Sequence, residues 1–259
     1  MRRITILVLL VTAAFAQDGR KARDLASQAR SAAFEYANVD RANVLIAEAL
    51  ELWDRSNEPK DAEYARALDL AGMLRSLRIP DDTDAVRVEV EPLYRQALDI
   101  LEHAPALGNE ADLALALELE TLALDRMGRR RDAIPLRERA ASIRKRIVET
   151  IQGRLTVQDF LDPVPQRIVK GVTPPRVSEK TPPGYSHEAR LAKREGTVVL
   201  SVVVTETGYP ASLRLIRSLG FGLDEEAVHA VRQWRFYPGT KDGDTVPVQA
   251  TIEVNFRLR

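Results

Sequence analysis

The residues best equipped for chemistry are few and badly placed for it. Ser186, His187 and Glu188 are sequence neighbours. Consecutive side chains on a helix stand about 100° apart, so they do not line up as a nucleophile, base and orienting acid. The chain has three histidines, His103, His187 and His229, and no cysteine. No two histidines share metal-ligand spacing, and thiolate zinc sites, iron–sulfur centres, disulfides and cysteine nucleophiles are excluded together. Gly220-Phe221-Gly222 lacks the spacing and strand-to-helix context of a phosphate-cradling loop. Asp81-Asp82 falls in a turn where solvation is the default, and His229 reads as a helix-surface residue. The four arginines of Arg126–Arg131 read as a solvated turn between helices, with an acidic peptide or lipid headgroup as the alternative contact. The reading is of a non-enzymatic chain with no catalytic, cofactor-binding or metal residues.

Composition points to folded, soluble material: 259 residues, 45% apolar and 29% charged, with formal net charge zero. Residues 17–162 carry 22 basic and 28 acidic side chains, and residues 163–259 carry 14 and 10. Neither part has the basic excess that a phosphate backbone demands, so nucleic acid is not an expected partner. At the start, MRR precedes the apolar run ITILVLLVTAAFA, which ends in Ala14-Phe15-Ala16. That pattern predicts an export signal over 1–16, cleaved before Gln17. As a helix the run rises only about 20 Å, against a hydrocarbon core of about 30 Å.

The elements that follow sort into two kinds. Between Ala22 and Thr150 the only glycines are Gly72, Gly108 and Gly128, and Ala, Leu, Glu and Arg dominate. Breaks near Asn38–Asp40, Asn57–Pro59, Ile79–Asp82, Pro105–Gly108 and Gly128 leave six helical segments. Leu45-Ala49-Leu52, Leu93-Ala97-Ile100 and Leu136-Ala140-Ile143 repeat one i, i+4, i+7 stripe, with Pro92 and Pro135 expected in the first turn of their helices. Ala67, Leu68, Leu70 and Leu74 recur as Ala116, Leu117, Leu119 and Ala123. Helix pairs that cannot bury their own apolar face must stack on the next pair. The region, 17–150, resembles tetratricopeptide repeats at a period of 43 to 49 residues. A generic bundle with alanine-rich interfaces is the alternative.

Six prolines between Pro163 and Pro183 predict an extended linker over 151–183. Beyond it, Tyr185–Arg194 predicts a short helix and Thr197–Thr205 a strand. Thr207-Gly208-Tyr209-Pro210 is a turn into a hairpin partner, Ala211–Arg217. Leu223–Trp234 predicts a helix whose buried stripe is Leu223, Ala227, Ala230/Val231 and Trp234. Its acidic first turn, Asp224-Glu225-Glu226, suits the unpaired amides there, and Arg232 and Arg235 suit the far end. Val246 to Leu258 alternates apolar and polar without a miss, one face on a core and one in solvent. The expected fold is thus multidomain: an all-α helical repeat, then a small α+β domain with a three-stranded antiparallel sheet and helices on one face.

Tyr185, Glu195-Gly196-Thr197-Val198, Gly208, Ser218 with Leu223-Asp224, Ala227, Ala230 and Trp234-Arg235-Phe236-Tyr237-Pro238-Gly239 occur in an order and spacing that resemble the C-terminal domain of the TonB family. The resemblance runs over about 166–259, with the domain core at 184–259, and Tyr185, Gly196, Gly208, Trp234, Phe236 and Pro238 carry its signature. It implies protein binding at the cell envelope in transmembrane transport. In that family the domain grips an extended segment of an outer-membrane receptor by strand addition and is linked to an inner-membrane motor complex. The last strand is where the segment docks, which implicates Thr251, Glu253, Asn255 and Arg257. A homodimer through the same edge, or an edge merely capped by charges such as Arg257 and Arg259, is the competing use. Three departures stand out: Tyr185-Ser186 replaces the family's Tyr-Pro, a cleavable signal replaces its membrane anchor, and a helical region with a short linker replaces its long proline-rich span. A periplasmic scaffold or adaptor without energy transduction is therefore the alternative function.

Overall fold

The computed structural model describes the backbone of residues 2–35, 37–79, 83–103, 110–153 and 165–258, and the side chains of these from residue 17 onward except 152 and 153. The expected breaks at Asp81-Asp82 and Pro105–Gly108 lie outside the described residues. The chain divides into two compact units, Met1–Glu138 and Arg139–Arg259.

The first unit is all helix: α1 (Arg2–Phe34), α2 (Val39–Arg55), α3 (Ala62–Ser76), α4 (Thr83–Ala85) running through a π-helical stretch (Val86–Val90) into α5 (Glu91–His103), α6 (Glu110–Arg126) and the start of α7 (Arg130–Gly153). Caps set the starts. Asn38 accepts from the Arg41 amide at 3.0 Å, and Asp61 accepts from the amides of Glu63 and Tyr64. Helix α3 is buried over ten residues and packs against α2, α5 and α6. Gly72 makes that approach possible, because a Cβ there would overlap the Tyr94 ring. No helix among the described residues is long and apolar enough to cross a membrane.

Three expectations for this unit need correction. Ala49, Ala97 and Ala140 are buried as the stripe centres, but Leu45, Leu52, Leu93, Ile100 and Leu136 are only half-buried. The inward faces are instead Ala42, Ile46 and Trp53 on α2, and Tyr94, Leu98 and Leu101 on α5. The large aromatic side chains, Trp53 and Tyr94, rotate each face by about one residue. Pro135 does not sit in a first turn but is the sixth residue of α7, whereas Pro92 is the second residue of α5, which continues directly from the π-helical stretch. A proline cannot donate to the preceding turn, and the π-helical stretch occupies the turn before Pro92. The arginine run is exposed at Arg129, Arg130 and Arg131, as expected, but not at Arg126. Arg126 donates to Ser76 Oγ (2.6 Å) and the Ile79 carbonyl, and Arg129 pairs with Asp132 (2.8 Å).

The second unit is built on a three-stranded antiparallel sheet in the order β4-β3-β8: β3 (Gly196–Val204), β4 (Pro210–Arg217) and β8 (Val248–Phe256). Helix α9 (Leu223–Val231) packs on β3 and β4. Val198, Leu200, Val202 and Val204 are wholly buried, as are Leu223, Ala227 and Val231, and Trp234 and Phe256 close the core. The helix is three residues shorter than expected, yet its buried stripe is the expected one. A short helix α8 (His187–Leu191) starts at Ser186, which caps the Ala189 amide.

The stretch expected as a linker also holds structure. In it, β1 (Val172–Thr173) pairs with β6 (Gly239–Lys241), and β2 (Arg176–Glu179) pairs with β5 (Arg235–Tyr237). Strand β7 (Asp244–Val246) pairs with β6, so Val246 belongs to that hairpin rather than to the last strand, and Pro247 separates the two. Arg235, expected at a helix end, lies in β5 with its guanidinium 4.2 Å from the Tyr209 ring centre.

Candidate partner-binding edge

The two borders of the main sheet differ in kind. On β4 the pairing with β3 is interrupted twice, between Val199 and Leu200 and between Ser201 and Val203, and Ser212 takes a left-handed φ of 45°. A twisted, bulged border beginning at Pro210 is a poor template for another strand. Strand β8 pairs with β3 in nine consecutive steps, from Gly196↔Phe256 to Val204↔Val248, with no irregularity. Straight pairing on one side leaves a straight row of main-chain groups on the other.

One hydrogen bond fixes which residues form that row. The Gln249 amide donates to the Gln166 carbonyl at 3.0 Å, away from β3. Main-chain groups alternate in direction along a strand, so Thr251, Glu253 and Asn255 turn their N–H and C=O groups to the same open side. Among the described residues none of these three amides has a partner there. Their side chains are exposed on the sheet face opposite Ile252, Val254 and Phe256. On the same face two side chains of β8 are held in place: Gln249 Nε2 donates to Ser201 Oγ (2.8 Å), and Thr197 Oγ1 donates to Asn255 Oδ1 (2.7 Å). Arg257 lies just past the end of β8 and is exposed, and the following Leu258 amide donates to Glu195. Beside the start of the row is an open groove of about 280 Å³ lined by Arg167, Ile168, Gln249, Ala250 and Thr251.

The signature residues hold this edge in position. Tyr185 stacks edge-on against Phe256, ring centres 5.7 Å apart, and its hydroxyl donates to the Arg194 carbonyl. Trp234 Nε1 donates to the Thr181 carbonyl at 2.7 Å, so the indole is held from the proline-rich side as well as by the core. Gly196 has a φ of 149° and approaches Leu219. Ser218 and Asp224 meet, and the Asp224 carboxylate takes the amides of the loop ahead of the helix rather than those of its first turn. Asp224 is fully buried and accepts from Ser218 Oγ (2.5 Å), the Leu219 amide (2.8 Å) and the Gly220 amide (3.2 Å). Burial pushes its carboxyl up to about 6, against the pull of those hydrogen bonds. The carboxylate therefore organises the loop ahead of the helix. Pro238 ends β5 and leads into β6 at Gly239.

Of the three neighbours with chemical potential, Ser186 is engaged structurally. Ser186 Oγ caps α8 and donates to the Phe221 carbonyl, a structural use of the hydroxyl. His229 is exposed. Among the described residues no three His, Asp or Glu side chains gather where a metal ion could sit. Gln166 and Pro247, both at the β8 edge, carry no signal in the sequence, since the contact joins residues some eighty positions apart through an isolated parallel bridge.

With this geometry in view, residues 181–258 form a domain similar to the TonB C-terminal domain, preceded by an α-helical region. The family described as Gram-negative bacterial TonB protein C-terminal matches those residues. Similar proteins include Protein TonB of Vibrio cholerae serotype O1, 34% identical over 86 residues, which are 33% of this chain and 35% of that one. Protein tonB2 of Pseudomonas aeruginosa is 32% identical over 77 residues, 29% and 28% of the two chains. The chain thus spans about a third of the length of these curated relatives. The solution NMR structure of the Pseudomonas aeruginosa TonB C-terminal domain aligns at 24% identity and a TM-score of 0.29, covering 38% of this chain and 97% of that one.

Proposed function

We propose that the protein works at the cell envelope as a TonB-like binding component, capturing an extended segment of a partner by strand addition along β8. The observation that carries this reading is the row of outward main-chain groups at Thr251, Glu253 and Asn255 on an uninterrupted strand, set against a bulged opposite border. Main-chain pairing supplies affinity and neighbouring side chains supply selectivity. An outer-membrane receptor segment is the partner the domain's likeness favours. The N-terminal apolar run serves export to the periplasm, and sequencing the mature N-terminus tests cleavage before Gln17. The helical unit, with α3 and α6 burying matched Ala and Leu positions, acts as a tetratricopeptide-like surface for a second envelope protein, which would include any motor complex.

A photo-reactive residue placed in the full chain at Asn255 or Thr251 tests the edge, with Arg214 on β4 as the control. Cross-links from β8 to an extended segment of another envelope protein, and none from β4, are expected. Cross-links from both borders alike, or none from β8, would refute strand addition. Cross-links only between copies of the chain would mark the edge as a homodimer contact. A periplasmic adaptor without energy transduction is the second reading, favoured by the α-helical region ahead of the domain. It predicts that partner capture persists after the proton gradient is collapsed and that no receptor-dependent uptake is lost on deletion.

A further inference from the structure

We infer that residues 166–169 gate the β8 edge in cis, and this rests on β8 being the docking strand. Gln166 forms a parallel bridge opposite Val248. Its amide donates to the Pro247 carbonyl at 2.8 Å, and its carbonyl accepts from the Gln249 amide at 3.0 Å. That is one rung of a parallel ladder, in which a residue bonds to the positions before and after its opposite number. The next rung would place Ile168 between the Gln249 carbonyl and the Thr251 amide. It is not made: the chain turns, with the Val172 amide donating to Val169, and joins β6 instead.

The chain's own segment thus occupies the first outward amide of β8 and leaves the next three. Where the two strands diverge, the groove between Arg167, Ile168 and Thr251 opens, and Ile168 and Val169 are more than half exposed beside it. An exposed apolar pair next to unused strand positions is what a strand begun but not completed leaves behind. A guest strand that uses only Thr251, Glu253 and Asn255 stops at this groove. One that reaches Gln249 must first displace Gln166. The segment therefore sets how much of the edge is available and selects guests able to compete with it.

The test uses the full chain as wild type, Gln166→Ala and Gln166→Pro, with a second release variant in which residues 165–169 become glycine and serine. The probe is a synthetic peptide of the chain's own residues 164–171. Alanine keeps both main-chain bonds, whereas proline removes the donor to Pro247. Expected is wild-type exchange at the Gln249 amide in Gln166→Ala and at least ten-fold faster exchange in both release variants. The peptide should bind both release variants at least ten-fold more tightly than wild type, restoring protection at Gln249 and adding it at Thr251. Unchanged Gln249 exchange in the release variants, or equal peptide binding to all four proteins, would overturn the gate. Because exchange at Gln249 is read without any natural partner, failure of the gate stays distinct from failure to find a cross-linked guest.

Discussion

Gly208 in the β3–β4 turn lies directly against Phe236 in β5: the Phe236 amide donates to the Gly208 carbonyl at 3.0 Å, and a Cβ on Gly208 would collide with the Phe236 carbonyl oxygen. Gly208 also has a φ of 80°, in the left-handed region. Two residues that stand out in the sequence are thus one contact, joining the hairpin tip to the β2–β5 ribbon. Backbone obstruction cannot be relieved by moving a side chain. Gly208→Ala should destabilise the second unit by about 2 kcal/mol or more, at least 1 of it from the left-handed backbone alone. The chain has one tryptophan in each unit, Trp53 and Trp234. Urea unfolding followed by Trp234 fluorescence in a Trp53→Phe background should show the shift, and an unchanged midpoint would refute the contact's role.

The same pair shows what was legible beforehand. Alternation from Val248 to Phe256 and the stripe from Leu223 to Trp234 are local periodicities, so the sheet and its helix could be read directly. Strands β2 and β5 could not, because Val177 finds Phe236 across some sixty residues and prolines flank it. The outward row at Thr251, Glu253 and Asn255 follows from strand parity once its register is known. Gln166, which reveals that parity, is hidden among prolines. On the helices, Leu45-Ala49-Leu52 and Ile46-Trp53 are adjacent stripes of one surface, and only the neighbouring helices decide between them.

Asp69 poses a pH problem for the first unit. It lies in the middle of α3, buried, with neither carboxylate oxygen hydrogen-bonded, near Asp112, which pairs with Arg66 at 2.7 Å. Burial first, and then the Asp112 charge, raise its carboxyl well above the usual value of 3.8. The folded state therefore holds this proton where the unfolded chain has released it. The contribution is least harmful below 3.8 and worsens as pH rises through the raised folded value. Asp69→Leu should stabilise the first unit by about 1–3 kcal/mol at pH 7.5 and by less at pH 4.5. Trp53 fluorescence during unfolding at the two pH values measures this, and a gain independent of pH would contradict it.

Asp224 has the same sign with a different outcome on substitution. With a carboxyl raised from 3.8 to about 6, the second unit should lose stability between those values as pH rises, on the order of 2–3 kcal/mol. Unlike Asp69, this group accepts three hydrogen bonds from the 218–220 loop. Asp224→Asn should therefore flatten the pH dependence while costing about 1–3 kcal/mol at pH 4, because an amide nitrogen cannot accept from the Gly220 or Leu219 amide. Trp234-monitored unfolding from pH 4 to 7 separates the two effects. A wild-type profile flat over that range would show that the hydrogen bonds outweigh burial.

Beside Asp224, Arg144 of α7 donates to Glu225 Oε1 at 2.9 Å within the second unit, with only 4% of the arginine side chain exposed. The other carboxylate oxygen, Oε2, is buried without a hydrogen bond. Removing one partner of such a pair strands the other charge, which costs more than the pair contributes. Arg144→Met should destabilise the second unit by roughly 2–4 kcal/mol, more than a surface ion pair would give. Replacing Glu225 by Gln in that background should recover part of the loss, so the double-mutant cycle should return a coupling of about 1–3 kcal/mol. The arginine charge also lowers the Asp224 carboxyl, so Arg144→Met should move the acid-to-neutral stability loss to higher pH. Additive effects in the cycle with an unmoved pH profile would show that α7 contributes packing here and no charge.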